Sequence, residues 1–323
     1  MKQEKEALLA LYKMMLKIRL FEDRIVDLYA RGEVPGLAHL YIGEEAVAAG
    51  VCAELRADDY ITSTHRGHGH VIAKGAELKP MMAELYGKKN GYCKGKGGSM
   101  HIADMEIGIL GANGIAGGGL PIAVGAGWSA RWRQTDQVAV CFFGDDASNN
   151  GTFHESLNLA SLHQLPVIFV CENNLYGIST CQVQHQPISD IAIRSTSYNM
   201  PGVVVDGNDV LDVHQAAVKA IKRARAGEGP TLIECKTYRW RGHHEGDPNQ
   251  GDRYRSKEEI RAWKEKDPIE RFAATLVSQR TTTRKQLAAF EKALVSEIDA
   301  AVEFARQSAF PAIDELFEDV FTH

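Results

Sequence analysis

The sequence predicts an α/β fold in which a parallel sheet is flanked by helices. Four apolar runs have the length and composition of buried strands, and two helical patterns lie between them: strands at 138–143, 167–171, 203–205 and 231–237, and helices at 151–163 and 209–226. Strands that alternate with helices form parallel sheets covered on both faces. This explains why the predicted strands are rich in apolar residues, although the one at 231–237 also contains Glu234 and Lys236.

Helical segments extend both ends of the chain. Residues 1–32 are charged and carry apolar residues at helical spacing, so they predict an amphipathic N-terminal helix. Residues 256–323 predict a C-terminal helical extension with a long helix at 283–308, and its last segment offers Leu316, Val320 and Phe321 for docking. Since no repeat or low-complexity linker interrupts the sequence, we expect one domain over residues 1–323.

The composition excludes several classes of protein. A net charge of −5 argues against a nucleic-acid-binding surface. Residues 107–130 carry no charge, but eight of the 20 residues from 108 to 127 are glycine, which is not typical of a membrane span. The six cysteines show no C-x-x-C spacing, and the N-terminus has no signal-peptide core. A reducing compartment, the cytoplasm, is therefore expected.

Polar side chains follow two neighbouring predicted strands. Asp145 and Asp146 come directly after the strand at 138–143 and Gly144, and a Glu-Asn-Asn sequence ending at Asn174 follows the strand at 167–171. Ligands of open α/β sheets bind at these carboxyl ends. Carboxylate and amide oxygens suit a hard cation such as Mg²⁺, so the sequence predicts a magnesium site here.

Two other motifs are rejected. Residues 125–130 match G-x-G-x-x-A, but the segment before them, 120–124, is too short and contains Pro121, so it does not predict the strand that a dinucleotide fingerprint needs. The run His65-x-x-His68-x-His70 has no cysteine or carboxylate neighbour at zinc spacing. His68 and His70 are expected to have structural roles.

Seven motifs in one order resemble the alpha subunit of the thiamine-diphosphate-dependent dehydrogenase component of acetoin and 2-oxoacid dehydrogenase complexes. They cover nearly the whole chain, at 39–46 (HLYIGEEA), 63–69 (STHRGHG), 95–101 (GKGGSMH), 113–117 (NGIAG), 144–174, 173–177 (NNLYG) and 241–243 (RGH). Each motif alone is weak, whereas the ordered set is specific. The resemblance implies a thiamine-diphosphate-binding fold.

The resemblance also implies a set of site residues. The metal ligands would be Asp145, Asn174 and the backbone carbonyl of Tyr176. The cofactor would contact His65, Arg66, Gly114, Ala116, Asp146, Ala147 and His243 in addition to these three. His39, His65 and His243 would be the catalytic histidines, because imidazole titrates near neutrality and can exchange protons with a carbonyl oxygen. The implied cofactors are thiamine diphosphate and Mg²⁺.

Local strings favour the acetoin branch of this family, notably 63–66, 98–104 and 243–247. The implied reaction cleaves acetoin into acetaldehyde and a hydroxyethyl unit, which is oxidised and transferred to a lipoyl acyltransferase. Oxidative decarboxylation of pyruvate or a branched-chain 2-oxoacid is the alternative, and a non-catalytic paralogue is a third reading. The implied partner is a beta subunit, in an assembly of two alpha and two beta chains, which supplies the glutamate that protonates the aminopyrimidine.

One position departs from the family pattern. The family has glycine after the metal-binding aspartate, and this chain has Asp146. A second carboxylate near a diphosphate costs on the order of 1 kcal/mol when exposed and more when desolvated. We therefore expect the Asp146 carboxylate to turn away from the cofactor or to be compensated, with weaker cofactor binding as the alternative. A glycine-type backbone angle would be a further difficulty.

Overall fold

A computed structural model describes residues 2–319 and contains a five-stranded sheet in the order β1-β2-β3-β7-β6, with every pair parallel. A separate antiparallel pair joins β4 to β5. The strands are β1 Tyr60–Thr62, β2 Ala139–Gly144, β3 Val167–Asn173, β4 Tyr176–Gly177, β5 Thr180–Cys181, β6 Gly202–Asp206 and β7 Thr231–Lys236. The predicted parallel sheet flanked by helices is confirmed.

Eleven α-helices cover the sheet and its ends within the described residues. They are α1 Lys2–Ala30, α2 Glu45–Cys52, α3 His68–Ala73, α4 Leu78–Leu85, α5 Gly119–Trp132, α6 Gly151–Leu162, α7 Gln182–His185, α8 Val210–Arg225, α9 Lys257–Lys264, α10 Pro268–Ser278 and α11 Arg284–Gln307. No helix within residues 2–319 has the length and apolar character needed to cross a membrane.

The two faces of the sheet build two separate apolar layers. Because successive side chains of a strand point to opposite faces, Cys141 and Phe143 of β2 pack with α5 and α6, whereas Val140 and Phe142 pack with α2 and α8. A third cluster joins α1 to α10 and α11 through residues such as Met15 and Phe272. Helix α1 therefore packs together with α10 and α11 from the other part of the chain.

The glycine-rich stretch contains a helix that the sequence did not predict. Helix α5 begins at Gly119, in a segment whose many glycines are more typical of backbone that passes close to a ligand or another chain. A Cβ placed on Gly127 would lie 2.5 Å from Cγ2 of Val167 in β3, so this glycine lets the helix lie close to the sheet. Segment 120–124 is thus helical, and the G-x-G-x-x-A match lies within a helix.

The polar residues and glycines of segment 239–255 are typical of a surface loop, but the segment is only partly exposed. Arg239 and Arg255 are buried, with 2% and 4% of their surfaces exposed. The Arg255 guanidinium donates to the carbonyl of Arg239 at 2.5 Å and to that of Arg241 at 2.7 Å, so the loop folds around a buried cation. At the C-terminus, Leu316 is 68% exposed, and Val320 and Phe321 lie outside the described residues.

Candidate active site

Three neighbouring strands end at one cavity. The segment after β1 contributes Ser63, His65 and Arg66, the end of β2 contributes Asp145, and the end of β3 leads to Asn174. The cavity is also lined by Glu44, Ala116, Asp146, Ala147, Glu172, Tyr176, Arg239 and His243. Of the predicted site residues, only His39 and Gly114 are not among the residues lining this cavity, and His39 reaches it through the rings of His65 and His243.

Two side-chain oxygen atoms that lack strong partners belong to residues lining the cavity at the strand ends. Asp145 is 1% exposed and its Oδ2 has no hydrogen-bond partner, with Nε2 of His185 lying 3.6 Å away. The amide oxygen of Asn174 accepts only a long bond, 3.4 Å, from the backbone N–H of Tyr176. A buried carboxylate needs a cation or donors. These oxygens therefore fit a hard cation such as Mg²⁺, which keeps other positions for water and phosphate.

Asp146 lines the cavity and is not turned fully away from it. One of its carboxylate oxygens accepts the backbone N–H of Ala147 at 2.9 Å, and its Cβ packs against Gly177. Burial, followed by the charge of Asp145, raises the pKa of the Asp146 carboxyl. The residue is absent from the described positions with positive φ, so the expected glycine-type backbone strain does not occur.

The guanidinium of Arg66 is buried and binds backbone carbonyls. It donates to the carbonyl of Leu40 at 2.7 Å and to the carbonyl of His243 at 3.1 Å. Burial, and then the charge of Arg239, lower the pKa of Arg66 to about 10, so the group stays cationic at neutral pH. No carboxylate within the described chain forms a salt bridge with it, which leaves positive charge on the cavity wall for an anion.

Three histidine rings meet at the cavity. The ring centroid of His39 lies 4.8 Å from that of His65 and 4.9 Å from that of His243. Burial, and then the charge of Arg66, lower the pKa of His39 to about 3 and of His65 and His243 to about 2. The imidazoles are therefore neutral, and Nδ1 of His39 and of His243 have no hydrogen-bond partner.

The same three rings are close enough to hold a metal ion, with one nitrogen of each within 4.8 Å of the others. The charges of Arg66 and Arg239 oppose a cation at this position, because both arginines already lower the pKa values of His65 and His243. The cluster therefore favours an anionic or carbonyl ligand over a metal ion.

The segment 113–117 forms a rim of the cavity that lies open to solvent. Gly114, Ile115 and Ala116 are exposed, with Ile115 at 73%. The carbonyl of Ala116 accepts from Nδ2 of Asn150 at 3.0 Å, which fixes the rim to the start of α6. Backbone groups of this rim are thus held in place yet uncovered.

His68 and His70 have the structural positions expected of them. His68 lies between Glu22 and Ser99, at 3.1 Å and 2.9 Å from their side-chain oxygens. His70 lies between Ser63 and Glu172, at 2.8 Å from each. All are buried, so these hydrogen bonds tie helices α1 and α3 to the cavity wall.

Sequence reasoning missed several charged groups of the cavity. Glu44 accepts Nδ2 of Asn174 at 2.9 Å, and Glu172 accepts from His70 and from the hydroxyl of Tyr41. Burial, and then the neighbouring Glu172, raise the pKa of Glu44 to about 8. Arg239 donates to the carbonyl of Ile178 at 2.9 Å. Glu44 and Glu172 lay inside quoted motifs, but spacing alone does not reveal contacts between residues about 130 positions apart.

Comparisons with known proteins agree with this geometry. Residues 12–314 match the family model for the dehydrogenase E1 component. The chain is 53% identical to the alpha subunit of acetoin:2,6-dichlorophenolindophenol oxidoreductase from Bacillus subtilis, over 98% of this chain and 94% of that relative. It is 45% identical to the protein of that name from Cupriavidus necator, over 98% and 95%.

More distant relatives carry a different name. The chain is 42% identical to the pyruvate dehydrogenase E1 component subunit alpha-3 of Arabidopsis thaliana, over 98% of this chain and 75% of that relative. These matches extend over nearly the whole chain, including every strand that ends at the cavity. The chain belongs to the dehydrogenase E1 component family, as an alpha subunit of a thiamine-diphosphate-dependent oxidoreductase.

Proposed function

We propose that this chain is the alpha subunit of an acetoin dehydrogenase that uses thiamine diphosphate and Mg²⁺. The substrate is assigned from sequence identity: the chain is 53% and 45% identical to two relatives named for acetoin, against 42% for the relative named for pyruvate. Differences of this kind across nearly full-length matches favour acetoin. Pyruvate is the second candidate because the relative named for it is still 42% identical over 98% of this chain.

Mg²⁺ would bind the carboxylate of Asp145, the amide oxygen of Asn174 and the carbonyl of Tyr176. The support is that Asp145 Oδ2 is buried without a partner and that Asn174 Oδ1 makes only one long hydrogen bond. Arg239 also donates to the Tyr176 carbonyl at 3.4 Å, a contact weak enough for a cation to replace. The metal would neutralise phosphate charge at the strand ends.

The remaining cavity residues would hold the rest of thiamine diphosphate. Arg66 and His65 would face the diphosphate, since the guanidinium has no salt-bridge partner in the described chain. The backbone of Asp146 and Ala147 would lie beside it. Gly114 and Ala116 would meet the aminopyrimidine through their backbone groups, which the exposed rim presents to a ligand.

The chemistry follows from neutral histidines beside a cationic wall. Bound thiamine diphosphate supplies an electron sink for breaking the carbon–carbon bond next to a carbonyl group. His39, His65 and His243 would exchange protons with the substrate oxygen atoms, for which neutral imidazoles have both a donor and an acceptor nitrogen. A bound diphosphate would offset the charge of Arg66 and so raise the pKa of these rings towards the working pH.

The products and partners complete the proposal. Acetoin would yield acetaldehyde, and its remaining two-carbon unit would be oxidised and passed to the lipoyl group of an acyltransferase. A beta subunit would cover the exposed rim at Gly114 and Ala116 and supply the glutamate for the aminopyrimidine, in an assembly of two alpha and two beta chains. The six free cysteines support a reducing compartment, and we place the enzyme in the cytoplasm.

The test is reduction of 2,6-dichlorophenolindophenol by this chain assembled with its beta subunit, in the presence of thiamine diphosphate and Mg²⁺. Faster reduction with acetoin than with pyruvate is the expected result. Faster reduction with pyruvate would move the protein to the pyruvate branch and keep the site. Absence of both turnover and cofactor binding in calorimetry would instead identify a non-catalytic paralogue.

A further inference from the structure

Glu44 lies beside the proposed metal ligands without being one of the residues assigned to the metal. It is 1% exposed and lines the cavity, and its Oε1 accepts Nδ2 of Asn174 at 2.9 Å. Its other oxygen, Oε2, has no hydrogen-bond partner. The two residues are 130 positions apart in the chain, so the contact belongs to the folded cavity and not to local structure.

The contact determines what the Asn174 side chain presents to the cavity. An amide has one oxygen acceptor and one NH₂ donor, which lie on opposite sides of the group. When the NH₂ binds Glu44, the oxygen faces the other way. Asn174 is 8% exposed, so without Glu44 its NH₂ would be buried with no acceptor. Both protonation states of Glu44 retain an oxygen that accepts this bond.

We propose that Glu44 is a positioning residue that holds the Asn174 amide with its oxygen directed towards the cation at Asp145. This inference rests on the proposed Mg²⁺ site. Side chains that orient metal ligands by hydrogen bonding typically change metal affinity by about 10- to 100-fold when removed. Glu44 contacts neither the substrate nor the metal in this role, and it acts only through Asn174.

The backbone of Glu44 is held tightly enough for that role. A Cβ on the preceding Gly43 would lie 2.4 Å from the carbonyl of Tyr238, so only glycine fits there. The Gly43 carbonyl accepts from Oγ1 of Thr237 at 3.2 Å. The following residue, Glu45, forms a salt bridge with Arg19. The Glu44 side chain therefore starts from a fixed point, as accurate orientation of a ligand requires.

The experiment compares three substitutions in the chain assembled with its beta subunit. Glu44→Gln keeps the acceptor and removes the charge, Glu44→Asp keeps the charge but is too short to reach Asn174, and Glu44→Met keeps the length without an acceptor. Binding of thiamine diphosphate is measured by calorimetry while Mg²⁺ is titrated, and bound Mn²⁺ is followed by electron paramagnetic resonance. We expect Met and Asp to raise the half-saturating Mg²⁺ concentration about 10- to 100-fold and Gln to stay within about threefold of the wild type.

The outcomes separate orientation from charge and from folding. If Glu44→Gln raises the half-saturating Mg²⁺ concentration as much as Glu44→Met does, the proposal is overturned in favour of a charge effect. Wild-type Mg²⁺ dependence in Glu44→Met and Glu44→Asp would also overturn it, because the acceptor would then be dispensable. A purely structural role would lower the unfolding temperature without moving the Mg²⁺ midpoint. If Glu44→Met does not assemble, Glu44→Asp provides the same comparison.

Asp145→Asn tests the metal site independently. Unchanged Mg²⁺ dependence in that variant would refute the proposed site itself, and the role of Glu44 with it. If Asp145→Asn weakens the binding of Mg²⁺ while Glu44→Met and Glu44→Asp keep the wild-type Mg²⁺ dependence, only the positioning role is refuted.

Discussion

Arg66 donates from its guanidinium to the backbone carbonyl of His243 at 3.1 Å, across 177 positions of sequence. Its other terminal nitrogen binds the carbonyl of Leu40, next to His39. One buried cation therefore holds two of the segments that carry the clustered histidines. Its charge also helps to keep those histidines neutral until an anion enters the cavity.

The bond to a carbonyl predicts that His243 can lose its ring without losing its place. In His243→Ala the backbone bond from Arg66 remains, so we expect an unchanged unfolding temperature. Turnover of acetoin should fall about 10²- to 10⁴-fold, as for loss of a general acid or base. Steady-state kinetics measure the turnover and differential scanning calorimetry measures the unfolding temperature. Full activity in this variant would remove His243 from the mechanism.

Substitution of Arg66 by lysine should weaken cofactor binding although the charge is kept. An ammonium group cannot reproduce the planar fork that reaches both carbonyls. An ammonium that replaces the bonds to these carbonyls would have fewer donors left for the diphosphate. Loss of one charge-assisted hydrogen bond to the cofactor would cost about 1.5–3 kcal/mol, so we expect roughly 10- to 100-fold weaker binding of thiamine diphosphate. Calorimetric titration tests this, with Arg133→Lys, an exposed position on the surface, as the matched control. Equal affinity in the two variants would show that charge alone suffices.

Asp146 should reduce the affinity for the diphosphate. Its carboxylate adds negative charge to the cavity and occupies the N–H of Ala147, a donor that a phosphate would otherwise use. We expect Asp146→Gly, the residue typical of the family, to bind thiamine diphosphate more tightly, by a factor of about five for a repulsion on the order of 1 kcal/mol. Asp146→Asn removes the charge but keeps an acceptor for the N–H of Ala147, so its affinity for thiamine diphosphate should lie between those of the wild type and Asp146→Gly.

The pH dependence provides a second check on Asp146. The pKa of this carboxyl is raised, and only its ionised form repels the diphosphate. Wild-type affinity, relative to Asp146→Asn, should therefore fall as the pH rises through that pKa. A constant ratio between the two proteins from acidic to neutral pH would contradict the repulsion.

Strands β2, β3, β6 and β7 were predictable because each contains a run of apolar residues, and Asp145 and Asn174 followed from their places at strand ends. The short strands β4 and β5 were not predicted, because two residues carry too little of a pattern. Helix α5 was not, since its glycines have low helix propensity and its stability comes from packing on β2 and β3. The burial of Arg239 and Arg255 was hidden for a similar reason. Apart from the hydroxyl of Tyr254, which accepts from Arg239, their hydrogen-bond partners are backbone carbonyls, which no sequence pattern marks.

The histidine cluster predicts loss of stability in acid. The folded pKa of His39 is about 3, below the unfolded value of about 6.5, so the unfolded chain binds a proton that the folded chain does not. The neutral His39 ring therefore contributes to the free energy of unfolding above pH 6.5, and this contribution is lost as the pH falls towards 3. In His39→Asn the loss between these values should be shallower than in the wild type. Urea unfolding at several pH values tests this, with the exposed His101→Asn as control, and parallel curves for all three would refute it.

Two glycines of helix α5 make a matched pair for stability. A methyl group on Gly127 would lie 2.5 Å from Cγ2 of Val167, whereas one on Gly125 would meet nothing within 4 Å. Overpacking typically costs about 1–3 kcal/mol, so Gly127→Ala should lower the free energy of unfolding by that amount. Gly125→Ala should raise it by about 0.5–1 kcal/mol through helix propensity alone. Chemical denaturation measures both, and equal shifts of the same sign would contradict the close contact between α5 and β3.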